Sequence, residues 1–77
     1  MSRIITDDGL LSWEVYASGG NFGLPQRPKV IFHCISDPDR RSRYVEHNGD
    51  NATAQGAVAT MDDAELRTLF TASREID

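Results

Sequence analysis

The sequence predicts a small α+β protein, in which a three-stranded, mostly antiparallel sheet is covered on one face by a C-terminal helix. Three observations indicate this class. Residues 10–18 alternate apolar and polar side chains, residues 29–36 are apolar on both parities, and residues 62–70 combine a capping pattern with an apolar stripe. Alternation with a period of two is typical of strands, and spacings of three and four are typical of helices.

Length and charge limit what the chain can be. With 77 residues, the sequence predicts one domain spanning residues 1–77. A chain of this size buries only about 60% of its unfolded surface. Its single cysteine, Cys34, excludes a disulfide within the monomer, and its apolar neighbours predict a small buried side chain. The net charge of −4 argues against a dedicated binder of polyanions.

The N-terminal residues 1–9 are polar apart from Ile4 and Ile5, and they end in the turn signal formed by residues 7–9. This pattern predicts either a flexible arm or a short added strand. No long apolar segment typical of a signal peptide is present, and no apolar stretch approaches the roughly 20 residues of a spanning helix. We therefore expect a cytoplasmic protein that does not contact membranes.

Residues 10–18 predict the first strand. The parity that should face the core carries four apolar residues: Leu11, Trp13, Val15 and Ala17. Trp13 should be the largest single contributor to the core. The opposite parity places Tyr16 beside Glu14 on a more solvent-exposed face.

Residues 19–28 predict a loop, because glycines allow positive φ and prolines cannot donate to a strand ladder. Their Gly-Gly-x-x-Gly pattern resembles a phosphate cradle, but such a cradle needs a helix to begin after the glycines. Pro25, Pro28 and a further strand follow instead. We interpret the segment as a connection that folds Phe22 or Leu24 over a sheet edge.

Residues 29–36 predict the central strand, since a strand with two apolar faces is normally buried on both sides. Val30, Phe32 and Cys34 should point to one face. Ile31 and Ile35 should point to the other face, on either side of His33.

Residues 37–40, Asp-Pro-Asp-Arg, favour a type I turn that closes a hairpin onto a strand over residues 41–47. Counting outward from this turn pairs Phe32 with Val45 and His33 with Tyr44. A slip of one residue would exchange the two faces of the paired strand.

Residues 51–60 are rich in alanine and predict either a short helix capped by Asp50 or an irregular stretch. Gly56 costs such a helix about 1 kcal/mol relative to alanine.

The closing helix begins with a capping box, in which Asp62 is the N-cap and Glu65 is the third helical residue. Met61 and Leu66 are spaced as a hydrophobic staple. Because acids in the first turn stabilise exposed amides, we interpret Asp62, Asp63 and Glu65 as a helix start and not as a general acid–base pair. The apolar stripe continues through Leu66, Leu69, Phe70, Ser73 and Ile76. The predicted core comprises Trp13, Val15, Phe32, Val45, Leu66, Leu69 and Phe70.

Catalytic and metal-binding patterns are weak. His33 and Cys34 are adjacent on a strand and therefore point to opposite faces, which disfavours a Cys–His nucleophile pair. A metal site at His33, His47 and Glu46 fails for the same reason, because Glu46 points away from His47. We expect no catalytic residue, no cofactor and no metal, and hence a protein that is not an enzyme.

Two surfaces are candidates for binding. One is the basic hairpin that carries Arg40, Arg41, Arg43 and Tyr44, and the other is the outer sheet face that carries Tyr16, Ile31 and Ile35. An apolar sheet face without a covering helix needs a partner. The sequence therefore predicts a small non-enzymatic protein–protein interaction module or accessory subunit, which binds a protein partner or a second copy.

The alternative function is nucleic-acid binding through residues 40–44, because guanidinium groups beside a stackable ring suit phosphates and bases. Asp37 and Asp39 lie in the same turn and would neutralise part of that charge. A third reading of the hairpin is a solvated edge that discourages pairing with other chains.

Overall fold

The computed structural model describes residues 2–19 and 28–76, which form one antiparallel sheet and two helices. In chain order the elements are β1 (Arg3–Thr6), β2 (Ser12–Ser18), β3 (Lys29–Cys34), β4 (Arg43–Glu46), α1 (Asn51–Thr60), α2 (Asp63–Ala72) and β5 (Arg74–Glu75). The strands lie side by side in the order β1-β2-β3-β4-β5. This arrangement confirms the small α+β class with an antiparallel sheet.

The predicted number of three strands is wrong, because the sheet has five. Both additional strands lie at its edges and are short, with four residues in β1 and two in β5. Such short segments do not establish an alternating pattern in the sequence. The predicted placement of Phe22 and Leu24 lies outside the described residues.

The central strand is β3, and the two faces of the sheet differ. We call the face that carries Trp13, Val15 and Phe32 the inner face, and the face that carries Tyr16, Ile31 and Tyr44 the outer face. The buried core lies on the inner face and comprises Ile5, Trp13, Val15, Val30, Phe32, Cys34, Val58 and Leu66. The prediction that Cys34 is a small buried side chain is confirmed, since it is 1% exposed.

The predicted core is only partly right. Trp13, Val15, Phe32 and Leu66 are fully buried, but Val45, Leu69 and Phe70 are half-buried residues that pack against the cluster. The sequence prediction left out Ile5 of β1 and Val58 of α1. These residues enter the core because each belongs to an element that the sequence did not establish.

Residues 51–60 form helix α1, and not the irregular stretch that was the alternative. The Oδ1 of Asp50 accepts the Thr53 amide at 2.8 Å, which caps the helix. Ala54 and Val58 are buried. The helix packs against β2 and, to a smaller extent, β3.

Helix α2 begins with the predicted capping box, in which the Glu65 amide donates to Asp62 Oδ1 at 2.8 Å and the Asp62 amide donates back to Glu65 Oε1 at 3.3 Å. It packs against β4 and β1. The predicted continuation of its stripe to Ile76 is wrong. The helix ends at Ala72, and the chain then joins β4, where the Ile76 amide donates to the Ser42 carbonyl at 2.8 Å.

The hairpin between β3 and β4 contains the predicted turn, since the Arg40 amide donates to the Asp37 carbonyl at 3.1 Å. The predicted register is wrong by two residues. Ile31 pairs with Tyr44 and Phe32 pairs with Arg43, because four residues (33–36) lie between Phe32 and the turn but only two (41–42) lie between the turn and Arg43. A shift of two residues preserves the faces, so the predicted division between them remains correct.

Arg3 connects β1 to both helices. Its Nη1 donates to the Met61 carbonyl at 2.6 Å and to the Val58 carbonyl at 3.3 Å, and its Nη2 pairs with Asp63 Oδ1 at 2.9 Å. The carbonyl groups at the end of α1 are thereby satisfied by a cation, as expected at a helix C-terminus. This contact links β1 to the end of α1 and to the start of α2.

Candidate functional site

The outer face of the sheet is the first candidate site. The buried side chains of α1 and α2 belong to the core on the inner face, so neither helix covers the outer face. Its middle row is formed by Tyr16, Ile31 and Tyr44, which are direct cross-strand partners on β2, β3 and β4. Ile31 is only 8% exposed, whereas Tyr16 is 36% exposed. The row therefore has a recessed apolar residue, Ile31, between two aromatic side chains.

Charged and apolar side chains surround this row. Lys29 Nζ lies 5.8 Å from the centre of the Tyr44 ring, a cation–π distance. In the register of β3 and β4, Lys29 lies opposite Glu46. Two isoleucines lie at the margin, where Ile4 is 59% exposed and Ile35 is 48% exposed. The outer face is thus partly apolar and carries charges of both signs.

The arginines of the basic hairpin do not form one surface with Tyr44. Arg43 points to the inner face, where its Nε donates to Ser73 Oγ at 2.8 Å and its Nη2 donates to the Ser73 carbonyl at 2.6 Å. Its guanidinium carbon also lies 5.6 Å from the centre of the Phe70 ring. Tyr44 is the next residue on the same strand and therefore lies on the outer face.

Arg40 and Arg41 are exposed and lie in the connection before β4. Arg40 Nε lies 3.5 Å from Asp37 Oδ2, an exposed ion pair of small expected stability. Arg41 has no hydrogen bond or ion pair within the described part of the chain. The structure thus brings Tyr16, Ile31 and Tyr44 together on the outer face and separates them from Arg40, Arg41 and Arg43.

A cleft of about 540 Å³ is the second candidate site, and sequence reasoning did not predict it. It lies where the turn between β1 and β2, the connection before β4, helix α2 and strand β5 meet. Arginines dominate its wall, with Arg40, Arg41 and Arg43 on one side and Arg67 on α2. In the sequence, the basic hairpin together with Arg67 on the C-terminal helix could have indicated this cleft.

Asp7 organises the turn at the edge of this cleft. Its Oδ2 accepts the indole Nε1–H of Trp13 at 2.9 Å, and its Oδ1 accepts the amides of Gly9 and Leu11, both at 2.9 Å. Partial desolvation opposes ionisation of Asp7, but these hydrogen bonds and the nearby Arg40 outweigh it. The pKa of Asp7 is therefore lowered from its ordinary value.

The histidines serve local contacts. His33 Nδ1 lies 3.2 Å from Ser42 Oγ, and His47 Nε2 lies 3.0 Å from Thr53 Oγ1. Cys34 is buried, with its sulfur 3.8 Å from Ser36 Oγ. Over residues 2–19 and 28–76, no group of three or more His, Cys, Asp or Glu side chains could hold a metal ion. Neither helix described here is long and apolar enough to cross a membrane.

Comparison of the chain with protein-family models, with curated proteins and with solved structures finds no match. The function of the chain is therefore inferred from the geometry and chemistry of its two candidate sites.

Proposed function

We propose that the protein is a small non-enzymatic interaction module whose outer sheet face binds another protein chain. The single observation that carries this proposal is the asymmetry of the sheet. Both helices pack on the inner face, while the outer face keeps the row of Tyr16, Ile31 and Tyr44. Aromatic side chains around a low apolar centre are typical of interface hot spots.

The charges of the outer face favour a second copy of the chain as the partner. Glu14 and Glu46 supply two negative charges, and Lys29 and Arg74 supply two positive charges. A surface with balanced charges can meet its own copy across a two-fold axis without net repulsion. The small size of the chain favours association in general, because an interface adds buried area to a limited core.

Sedimentation velocity over micromolar concentrations tests the proposal. The wild-type protein should form a dimer whose fraction rises with concentration. Tyr16→Glu should weaken the dimer by about tenfold or more, because it places an unpaired carboxylate in a desolvated contact. The matched control is Leu10→Glu, which adds the same charge at an 82% exposed apolar residue outside the outer face.

Three results bear directly on the proposal. A dimer that Tyr16→Glu weakens and Leu10→Glu preserves would support it. A monodisperse monomer at the highest soluble concentration would contradict self-association through this face. Equal weakening by both variants would contradict the assignment to the outer face, since it would indicate a general charge effect.

Nucleic-acid binding through residues 40–44 is the weaker proposal. Arg43 donates to Ser73, and Tyr44 lies on the opposite face of the sheet, so a base stacked on Tyr44 would be separated from the phosphate contacts. Of the three arginines at this hairpin, Arg40 and Arg41 are exposed and Arg43 is half-buried. Fluorescence anisotropy with labelled oligonucleotides at low salt tests it, and binding that falls steeply with added salt would support it.

A further inference from the structure

The arginine-lined cleft has the dimensions of a small-molecule site. Its volume of about 540 Å³ lies within the range of roughly 300–1,000 Å³ that is usual for ligand pockets. Four separate segments of the chain contribute to its wall, so the side chains converge from several directions. Phe70, which is half-buried, provides an aromatic surface inside it.

The cleft is locally basic in an acidic protein. The chain has eight basic and twelve acidic residues. Four of the basic residues line the cleft, namely Arg40, Arg41, Arg43 and Arg67, but only three of the acidic residues do, namely Asp7, Asp8 and Glu75. The lining residues thus carry four positive and three negative charges, a small positive excess that favours an anion in a protein whose net charge is −4.

The internal contacts decide which of these charges remain free for a ligand. Arg43 donates to Ser73, and both oxygens of Asp7 accept hydrogen bonds from the chain. Arg40 forms an ion pair with Asp37 at 3.5 Å, which offsets its charge. Among the described residues, Arg67 has no ionic partner and uses only its Nε, which donates to the Thr6 carbonyl at 3.3 Å. Arg41 has no partner within residues 2–19 and 28–76. The terminal nitrogens of Arg41 and Arg67 are consequently the best available donors.

From this arrangement we propose that the cleft binds a small phosphomonoester, with its phosphate group at Arg41 and Arg67 and its organic part against Phe70. Guanidinium groups match the geometry of phosphate oxygens and form short charge-assisted hydrogen bonds with them. Asp8 and Glu75 lie in the same wall and oppose a second or third phosphate. The ligand is therefore a monoester and not a polyphosphate or a nucleic-acid strand.

Titration with phenyl phosphate, followed by amide chemical shifts in ¹⁵N-labelled protein, tests the proposal. Saturable shifts should be confined to the segments around Gly9, Arg41 and Thr71, which line the cleft. Arg41→Gln and Arg67→Gln should each raise Kd by about tenfold, as expected for the loss of one charge-assisted contact. Arg74→Gln is the matched control, because Arg74 is exposed and lies outside this cleft.

Two further probes separate the parts of the ligand. Benzoate keeps the ring and one negative charge, and inorganic phosphate keeps the phosphate without the ring. Both should bind more weakly than phenyl phosphate. Equal binding of benzoate would overturn the assignment to phosphate, and equal binding of inorganic phosphate would overturn the contact with Phe70.

The proposal would be overturned by linear, unsaturated shifts up to about 10 mM probe, which correspond to no specific affinity. It would also be overturned if Arg74→Gln weakened binding as much as Arg41→Gln. Because Arg41 is exposed and makes no contact within the described residues, Arg41→Gln should keep the wild-type thermal midpoint. Arg41→Gln therefore tests the proposal in a folded protein, even if Arg67→Gln lowers the stability of the fold.

Discussion

The two faces of the sheet are built from the same strands, but both helices cover only one of them. On β2, the inner face carries Trp13 and Val15, which are 3% and 0% exposed, and both lie beneath helices. Glu14, which lies between Trp13 and Val15, points to the outer face, as does Tyr16, which follows Val15. The inner face carries the buried core beneath both helices, whereas neither helix covers the outer face.

The basic hairpin is an example of how the two faces separate residues that are adjacent in the sequence. Its arginines and its tyrosine are neighbours in the sequence, but Arg43 is a structural residue that donates to Ser73, while Tyr44 contacts Lys29 on the outer face. Alternation along a strand separates adjacent residues into different environments. Residues that cluster in the sequence, such as Arg43 and Tyr44, therefore need not lie on the same surface of the protein.

Two aromatic residues on opposite faces of β2 should differ most in how much their replacement by alanine lowers the free energy of unfolding. Trp13→Ala should lower the free energy of unfolding by about 3–5 kcal/mol, because it leaves a large cavity beside Phe70 and removes the indole hydrogen bond to Asp7. Tyr16→Ala should lower it by less than about 1 kcal/mol. Urea unfolding followed by circular dichroism measures both.

Comparable losses in these two variants would remove the distinction between the faces. If Trp13→Ala kept the midpoint of the wild type, Trp13 would not belong to the core. In a domain of this size the loss from Trp13→Ala is most of the total stability, so a chain that is unfolded without urea agrees with the prediction.

The second comparison concerns two basic residues on neighbouring strands, Arg43 and Arg74. Arg43→Met keeps the aliphatic stem but removes two hydrogen bonds to Ser73, which is 6% exposed, and should cost about 2–3 kcal/mol. Arg74→Met, on the outer face, should change stability by less than about 0.5 kcal/mol. Thermal unfolding of the two variants at equal concentration measures the difference. Equal midpoints would contradict the structural role of Arg43.

Sequence patterns predicted the parts of the fold whose cause is local. The capping box of Asp62 and Glu65 depends on residues three positions apart, and it is present as predicted. The division of residues between the faces follows from strand alternation and is also correct. Register and sheet edges depend on contacts between distant segments, and there the predictions of three strands and of the Phe32–Val45 pair are wrong.

The candidate site shows the same limit. Tyr16 and Ile31 were assigned to the outer face because each lies on a recognisable strand. Tyr44 was grouped with the basic hairpin and paired with His33, so its place beside Ile31 was not predicted. The cleft was not predicted either, because it needs Arg67 on α2 and Arg41 in the connection before β4 to line the same cavity. No short-range pattern in the sequence brings these two segments together.

The third comparison uses pH and concerns Asp7, whose contacts belong to the inner side of the molecule. Since its pKa is lowered from the ordinary value of 3.8, the unfolded chain binds more protons at this residue. Its contribution to stability is therefore complete above that value and is lost as the pH falls through it towards the folded-state pKa. Asp7→Asn should cost about 1–2 kcal/mol at neutral pH and reduce the loss of stability in acid.

Asp8→Asn is the matched control, because Asp8 is exposed and makes no hydrogen bond or ion pair among the described residues. Urea midpoints measured from neutral to acidic pH should follow the wild type in Asp8→Asn and diverge in Asp7→Asn. Parallel curves for all three proteins would contradict the assignment of an acid-sensitive contribution to Asp7.

The smallest expected effect has the opposite sign and concerns the solvent-exposed side of α1, whose buried side carries Ala54 and Val58. A Cβ placed at Gly56 would meet no atom within 4 Å, so Gly56→Ala should fit without strain. It should raise the free energy of unfolding by about 0.5–1 kcal/mol, because alanine loses less backbone entropy in a helix than glycine. Gln55→Gly, at the exposed neighbour in the same helix, should lower it by a similar amount, and thermal unfolding measures both variants. A gain in one and a matching loss in the other requires residues 51–60 to be helical in solution, whereas no change in either would mean that α1 is not formed there and that the inner face is covered by α2 alone.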